Sequence, residues 1–328
     1  MEALDIKDDS LEVIISEKNL IGPSSFSFLA DGTILIVDEC AHQLKIFSEG
    51  ELKKTIGKKG KDRDSFFYPT DAAIVDHVIY VTDRFNHKVK AVDLEGKLIW
   101  ETGGYGSEKG LLIEPVGIAH YDKNTLAVTD MGNARIVFFD MNGKFLHAFG
   151  KRGIEKEYYE STSFKTKFIY KAWAGSFNRF ATIDTSFFVS GYDTGTLDTP
   201  KGIAADNDHI AVCDYSGRIQ VFHKDGKLKN TFINDKEKLF SYAQWLQIKE
   251  GKILFSKELG DAVYCVDEKG NVDLFLKTPG HFIECFRFHG DDIYFMSPWE
   301  RKMFRLKTPD TRIKTEKKQK EGLATKGH

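Results

Sequence analysis

The chain has 328 residues, with 47 Lys and Arg against 49 Asp and Glu, and 41% of its residues are hydrophobic. So even a balance gives no global pull toward nucleic acid or an anionic membrane. No apolar run approaches the length of a membrane span, and MEALDIKDDS at the start carries no apolar leader core, so the expectation is a cytoplasmic protein without membrane insertion. The four Cys (40, 213, 265 and 285) form no C-x-x-C pair and read as buried free thiols.

In chain order, LEVIIS (11–16) is a lone apolar strand. A unit then repeats as ILIVDECAHQLKIFSEGEL (34–52), IYVTDRFNHKVKAVDLEGKL (79–98), LAVTDMGNARIVFFDMNGKF (126–145) and IAVCDYSGRIQVFHKDGKL (210–228). Each copy is a strand, an Asp, a polar loop with a basic residue, a strand, a Gly turn and a strand. PTDAAIV at 69, PVGIAHY at 115 and PKGIAAD at 200 add a proline and a further strand upstream, with a looser version at Pro23. ILFSKELGDAVYCVDEKGNV (253–272) and IYFMSPWERKMFRL (293–306) are fainter copies, with Lys257 and Ser297 in the Asp position. The runs are short, rich in Val, Ile and Phe, and apolar on consecutive positions, which predicts strands covered on both faces. Asn142–Gly143 predicts a type I′ hairpin.

Four-stranded units of roughly 40–45 residues cannot bury both faces alone and stack radially as propeller blades. The pattern P-x-G-I-A, I-x-V-x-D, R-I-x-V-F and G-K resembles the NHL repeat over about residues 20–306. The expected fold is all-β, a six-bladed β-propeller of four-stranded blades forming one domain over 1–309. The last copy lacks an outer strand, and LEVIIS is expected to supply it and close the ring. Residues 310–328 read as a disordered basic tail.

The Asp positions step by 45, 47, 84, 43 and 40 residues, and the 84 leaves residues 154–196 to explain. NRFATID (178–184) aligns with NTLAVTD (124–130), which raises a seventh blade as the alternative. Only 16 residues separate Asp184 from Pro200, room for one strand, so a strand-containing insertion is favoured. The segment is rich in aromatics and is expected to lie over the loop face, with Trp173 or the Tyr158–Tyr159 pair partly exposed.

Short hairpins would occupy one propeller face. The Asp-to-basic loops and the blade-to-blade connections would share the other, the candidate binding face. Its candidate contact residues are Arg84, His87, Lys88, Arg135, Arg218, Trp299, Arg301, Tyr158, Tyr159 and Trp173. Asp38, Asp83, Asp130 and Asp214 recur once per unit, so each is expected to accept backbone N–H groups of its own loop rather than to do chemistry.

The NHL resemblance also implies enzymes. A peptide-amidating lyase of that type binds metal through several channel His, but here His120 is the one His read on an innermost strand. Gluconolactonase-like propellers use carboxylates and Asn at the channel mouth. The channel candidates here are Thr70, His120, Lys201, Gln244 and Glu284, which include one carboxylate. Some NHL propellers bind single-stranded RNA on a basic face, but this face also carries many Glu and Asp. The sequence reading is a non-enzymatic scaffold for a protein or peptide, monomeric, with no metal and no cofactor. The alternatives are a metal-assisted hydrolase or lyase at the channel mouth and, third, RNA binding.

Overall fold

The structure is a computed structural model that describes residues 11–151, 195–214, 217–233, 240 and 242–307. Blade 1 contains β2–β5 (Pro23–Phe28, Ile34–Asp38, Gln43–Ser48, Glu51–Ile56), and blade 2 contains β6–β9 (Pro69–Val75, Val78–Asp83, Lys88–Asp93, Leu98–Gly103). Blade 3 contains β10–β13 (Pro115–Asp122, Thr125–Asp130, Arg135–Asp140, Phe145–Phe149), and blade 4 contains β14–β17 (Pro200–Ala205, His209–Asp214, Arg218–His223, Leu228–Ile233). Blade 5 contains β18–β21 (Ala243–Lys249, Lys252–Lys257, Ala262–Val266, Val272–Lys277). Blade 6 contains β22–β24 (Cys285–His289, Asp292–Ser297, Lys302–Leu306) and, outermost, β1 (Leu11–Ile15). All six sheets are antiparallel and four-stranded, and the protein is a six-bladed β-propeller.

Each core lies between two blades, which is why the strands read as apolar on consecutive positions. Leu35, Val37 and Leu44 pack on Ala72, Ile79 and Val81, and the pattern repeats around the ring. Between blades 3 and 4, Ala127, Ile136 and Phe138 meet Ile203, Ile210 and Phe222 directly. No seventh blade fits there. Leu197 N donates to Lys151 O at 2.9 Å, so the two stems of the long connection meet on the loop face. Most of 154–196, with Tyr158, Tyr159 and Trp173, lies outside the described residues, as does the tail.

The N-terminal strand closes the ring as expected. β1 runs antiparallel to β24 with Leu11 opposite Leu306 and Ile15 opposite Met303, and Ile15 is buried between blades 6 and 1.

The Gly of the outer hairpins explains why the repeat keeps it. Gly96, Gly143 and Gly226 all take positive φ near +80°. A Cβ there would press within 2.8 Å of Ile56, Trp100 and Phe149, on the outer strand of the preceding blade. Gly50 stands in the same relation to the carbonyl of Ile14, so β1 fills the outer-strand place of blade 6. The Asn142–Gly143 hairpin is not type I′. Only Gly143 has positive φ, Gly143 N donates to Asp140 O, and the ladder shifts register beside it, the geometry of a type I turn with a G1 bulge. Asp140 Oδ1 accepts both Asn142 N and Lys144 N and selects this turn.

All four Cys are free thiols, and burial pushes Cys213 up to about 12, which makes it a packing residue rather than a nucleophile. No helix among the described residues is long and apolar enough to cross a membrane.

Candidate functional site

The Asp that ends each second strand faces inward. Asp38, Asp83 and Asp130 are fully buried, and Asp214 nearly so. The backbone donors that reach them come from the connection entering the same blade 16 or 17 residues earlier, while the loop that follows contributes side-chain amides, from Asn86 to Asp83 and from Asn133 to Asp130, both at 2.7 Å. Asp38 accepts Ile21 N and Gly22 N, Asp83 accepts Phe67 N at 2.7 Å, Asp130 accepts Ile113 N at 2.7 Å, and Asp214 accepts Asp198 N at 3.1 Å. A cation completes each: Lys45 at 2.6 Å, Lys90 at 3.2 Å, Arg135 at 2.8 Å and Arg218 at 3.2 Å. Lys45 and Lys90 were not among the sequence candidates. Their signal was an apolar-flanked Lys on a strand position that ought to be core. Burial holds the Asp83 and Asp130 carboxyls above the usual carboxylate range, against the pull of Lys90 on the first and of the Ile113 amide on the second.

Most of the basic candidates are engaged inside the ring. Arg84 is buried and reaches Glu114 with Nε and Nη2 at 3.2 and 2.9 Å. Arg135 also donates to the carbonyls of Ser107 and Leu111, and Arg218 to that of Thr196. Lys88 pairs with Glu101 at 2.6 Å. The three Arg tie connections to blades and Lys88 ties two strands of blade 2, and among the described candidates Arg301 and Trp299 are exposed on this face.

His87 adopts left-handed φ (+57°), and its Nδ1 accepts Glu114 N at 3.1 Å, the residue before Pro115 of the next blade. His42 repeats this with φ +59° and Tyr68 N, before Pro69. Both imidazoles must be neutral to accept, and burial holds both below the ordinary value of 6.5, helped at His42 by Lys59 and opposed at His87 chiefly by Glu114. A depressed folded-state value means that the unfolded chain takes up protons first. Their stabilisation is therefore present in full above 6.5 and lost as pH falls below it. The double variant His42→Asn/His87→Asn, with Asn chosen because it tolerates left-handed φ, should show a shallower fall in melting temperature from about pH 7.5 to 5.5 than wild type. Parallel curves would refute this role.

The device is missing from blades 5 and 6. Lys257 occupies the Asp position of blade 5 with its ammonium value lowered by burial, and Ser297 of blade 6 is buried with no hydrogen-bond partner for Oγ among the described residues. On the loop face of these two blades Leu259, Phe282 and Trp299 are exposed. Ile283 N donates to Gly260 O at 2.8 Å, setting Phe282 beside Leu259, and the Phe282 and Trp299 rings lie 6.2 Å apart.

The channel-mouth candidates are knitted into the ring. Ser24 Oγ donates to Thr70 O, Thr70 and Thr82 to Val116 O, Thr129 to Lys201 O and Ser256 to Glu284 O, each within 3.0 Å. Lys201 pairs with Glu258 at 3.3 Å, and Gln244 Nε2 bonds Glu284 Oε1. A cavity of about 510 Å³ lies further along the channel, over the second halves of the innermost strands toward the hairpin face. It is lined by His120, Asp71, Trp245, Lys249, Arg287 and His289 among others. His289 sits at the end of β22, so His120 is not the one His on an innermost strand as the sequence suggested, and both imidazoles line this cavity. No group of three or more potential metal ligands occurs among the described residues.

No protein-family model matches the chain. It is 29% identical over 140 residues to the Drosophila melanogaster protein brain tumor, a match spanning 42% of this chain and 13% of that protein's length. Among solved structures it resembles a virginiamycin B lyase from Staphylococcus aureus (13% identity, 91% of this chain and 85% of that one, TM-score 0.59). It also resembles a gluconolactonase from Xanthomonas campestris (13% identity, 91% and 89%, TM-score 0.62) and a chain of a nidogen–laminin complex (15% identity, 77% and 80%, TM-score 0.52). At these identities the likeness is one of fold. It is a propeller shared by enzymes and by a protein-complex component.

Proposed function

We propose that the protein is a non-enzymatic, NHL-type binding scaffold that takes a protein or peptide on its loop face at blades 5 and 6. The observation that carries this reading is the coincidence on these blades of a lost Asp–cation device and an exposed Leu259–Phe282–Trp299 patch. Elsewhere on the face the charged side chains brace the ring and the exposed apolar groups Ile21 and Tyr105 stand apart, whereas here two aromatic rings face water 6.2 Å from one another and form an anchor of the kind that carries interface energy. The sequence match over 140 residues to the protein brain tumor is compatible with the same reading. The metal-assisted alternative draws on fold likeness at 13% identity, and RNA binding fits poorly with basic side chains already paired to carboxylates and carbonyls.

A photo-crosslinking residue placed at Phe282 should capture a discrete partner from extract of the source cells. Trp299→Ala should weaken that partner by roughly 2 kcal/mol or more, while Leu146→Ala on an outer strand of blade 3 leaves it unchanged. Capture indifferent to Trp299→Ala would reject the site.

A further inference from the structure

The channel cavity faces the hairpin side, away from the patch on blades 5 and 6, and none of the interactions above accounts for its charge. Its walls mix apolar side chains (Phe28, Ile74, Trp245, Phe288) with polar ones, and its volume of about 510 Å³ falls in the range of small-ligand pockets. Two cations enter it from adjacent innermost strands. Arg287 donates Nε to Phe26 O and stacks over Trp245 at 4.9 Å, and its nearest carboxylate is Asp71 at 3.9 Å, too far for a hydrogen bond. Lys249 Nζ stands 3.7 Å above the Phe288 ring with no carboxylate partner among the described residues.

Asp71 does not compensate both. Its Oδ1 and Oδ2 accept the amides of Ala72 and Ile118 at 2.8 and 3.0 Å, so its lone pairs are largely committed to backbone. The cavity thus holds two cations against one engaged carboxylate, with guanidinium donors left for a ligand. The hairpin tips around the exit carry Asp122, Asp206, Asp208 and Glu250 alongside Lys123 and Lys252, with Asp292 paired to Arg305, a rim acidic on balance that opposes polyanions such as nucleotides. A single carboxylate meets the inner cations without heavy cost at the rim, and a small apolar body has the rings of Phe28, Trp245 and Phe288 to pack against.

We infer that the hairpin-side half of the channel is a binding pocket for a small organic monoanion, a carboxylate on an apolar body, held by Arg287 and Lys249. Calorimetric titration of the full chain with benzoate, hexanoate and indole-3-acetate, each against its amine counterpart benzylamine, hexylamine or tryptamine, tests this directly. At least one acid should bind one to one and at least tenfold more tightly than its amine. Lys249→Met should weaken it about fivefold and Arg287→Gln about tenfold or more. Lys249 is a surface-reaching residue at a strand end, so its variant gives a reading even where Arg287→Gln proves unstable. Amines binding as well as acids, acid binding unchanged in Lys249→Met, competition by inorganic phosphate equal to that of the acid, or no binding of any probe at millimolar concentration would each overturn the inference.

Discussion

Removing residues 1–16 lowers the melting temperature by roughly 10–20 °C. β1 is the outer strand of blade 6 and the chain's ring closure, yet it is joined to the other strands of its sheet only through the antiparallel ladder to β24. Burial of Ile15, at 1% exposure, contributes about 2 kcal/mol, and the ladder at about 1 kcal/mol per bond brings the loss to about 5 kcal/mol. For a domain of this size each kcal/mol moves the midpoint by about 2–4 °C. The loss also bares the edge of β24, so the truncated protein should aggregate more readily. Val13→Ala, at an exposed position of the same strand, should shift the midpoint by no more than about 2 °C. An unchanged midpoint after truncation would mean that β1 closes nothing.

Lys90→Met should be about as damaging. Lys90 is fully buried on the third strand of blade 2, 3.2 Å from the buried Asp83, and also donates to Ser65 O and Asp62 O. Without it a carboxylate already raised by burial stands with no cation, which costs about 3–5 kcal/mol. Adding Asp83→Asn removes the stranded charge while the amide oxygen still accepts Phe67 N, so the double variant should be more stable than the sum of the two single losses implies. With Lys90 gone the Asp83 carboxyl rises further, and a raised folded-state value relieves the penalty as pH falls through it. The deficit of Lys90→Met should therefore be larger at about pH 7.5 than at about pH 5. Additive single losses, or a deficit independent of pH, would dismiss the pair as a structural unit.

The strand pattern and the closing strand were legible because their determinants are local. Consecutive apolar residues bounded by Gly and Asp state a strand covered on both faces, and a last copy one strand short states where LEVIIS must go. The Asn142–Gly143 turn was misread because the choice between type I′ and type I with a bulge rests on the Asp140 side chain, which captures two amides of its own turn.

The availability of the charged candidates was not legible. Arg135 and Arg218 have near-sequence partners in Asp130 and Asp214, but the acceptors that bind Arg84, Arg135 and Arg218 to the connections lie 30, 24 and 22 residues away, placed beside them by the ring. His289, too, was not read as a channel residue, because the faint last copies leave the end of β22 unmarked in the sequence.

The sequence by itself determined that the chain is a propeller of four-stranded blades closed by its own first strand, since repeat period, turn residues and apolar runs are all properties of neighbours along the chain. Only the tertiary structure decided that the ring has six blades, because the direct packing of Phe138 against Ile203 and Phe222 leaves no gap for a seventh. It alone decided as well which charges brace the ring and that Arg287 and Lys249 meet over one cavity. An ion pair or a pocket is formed by residues that the fold brings together, and their separation along the chain carries no trace of the distance between them.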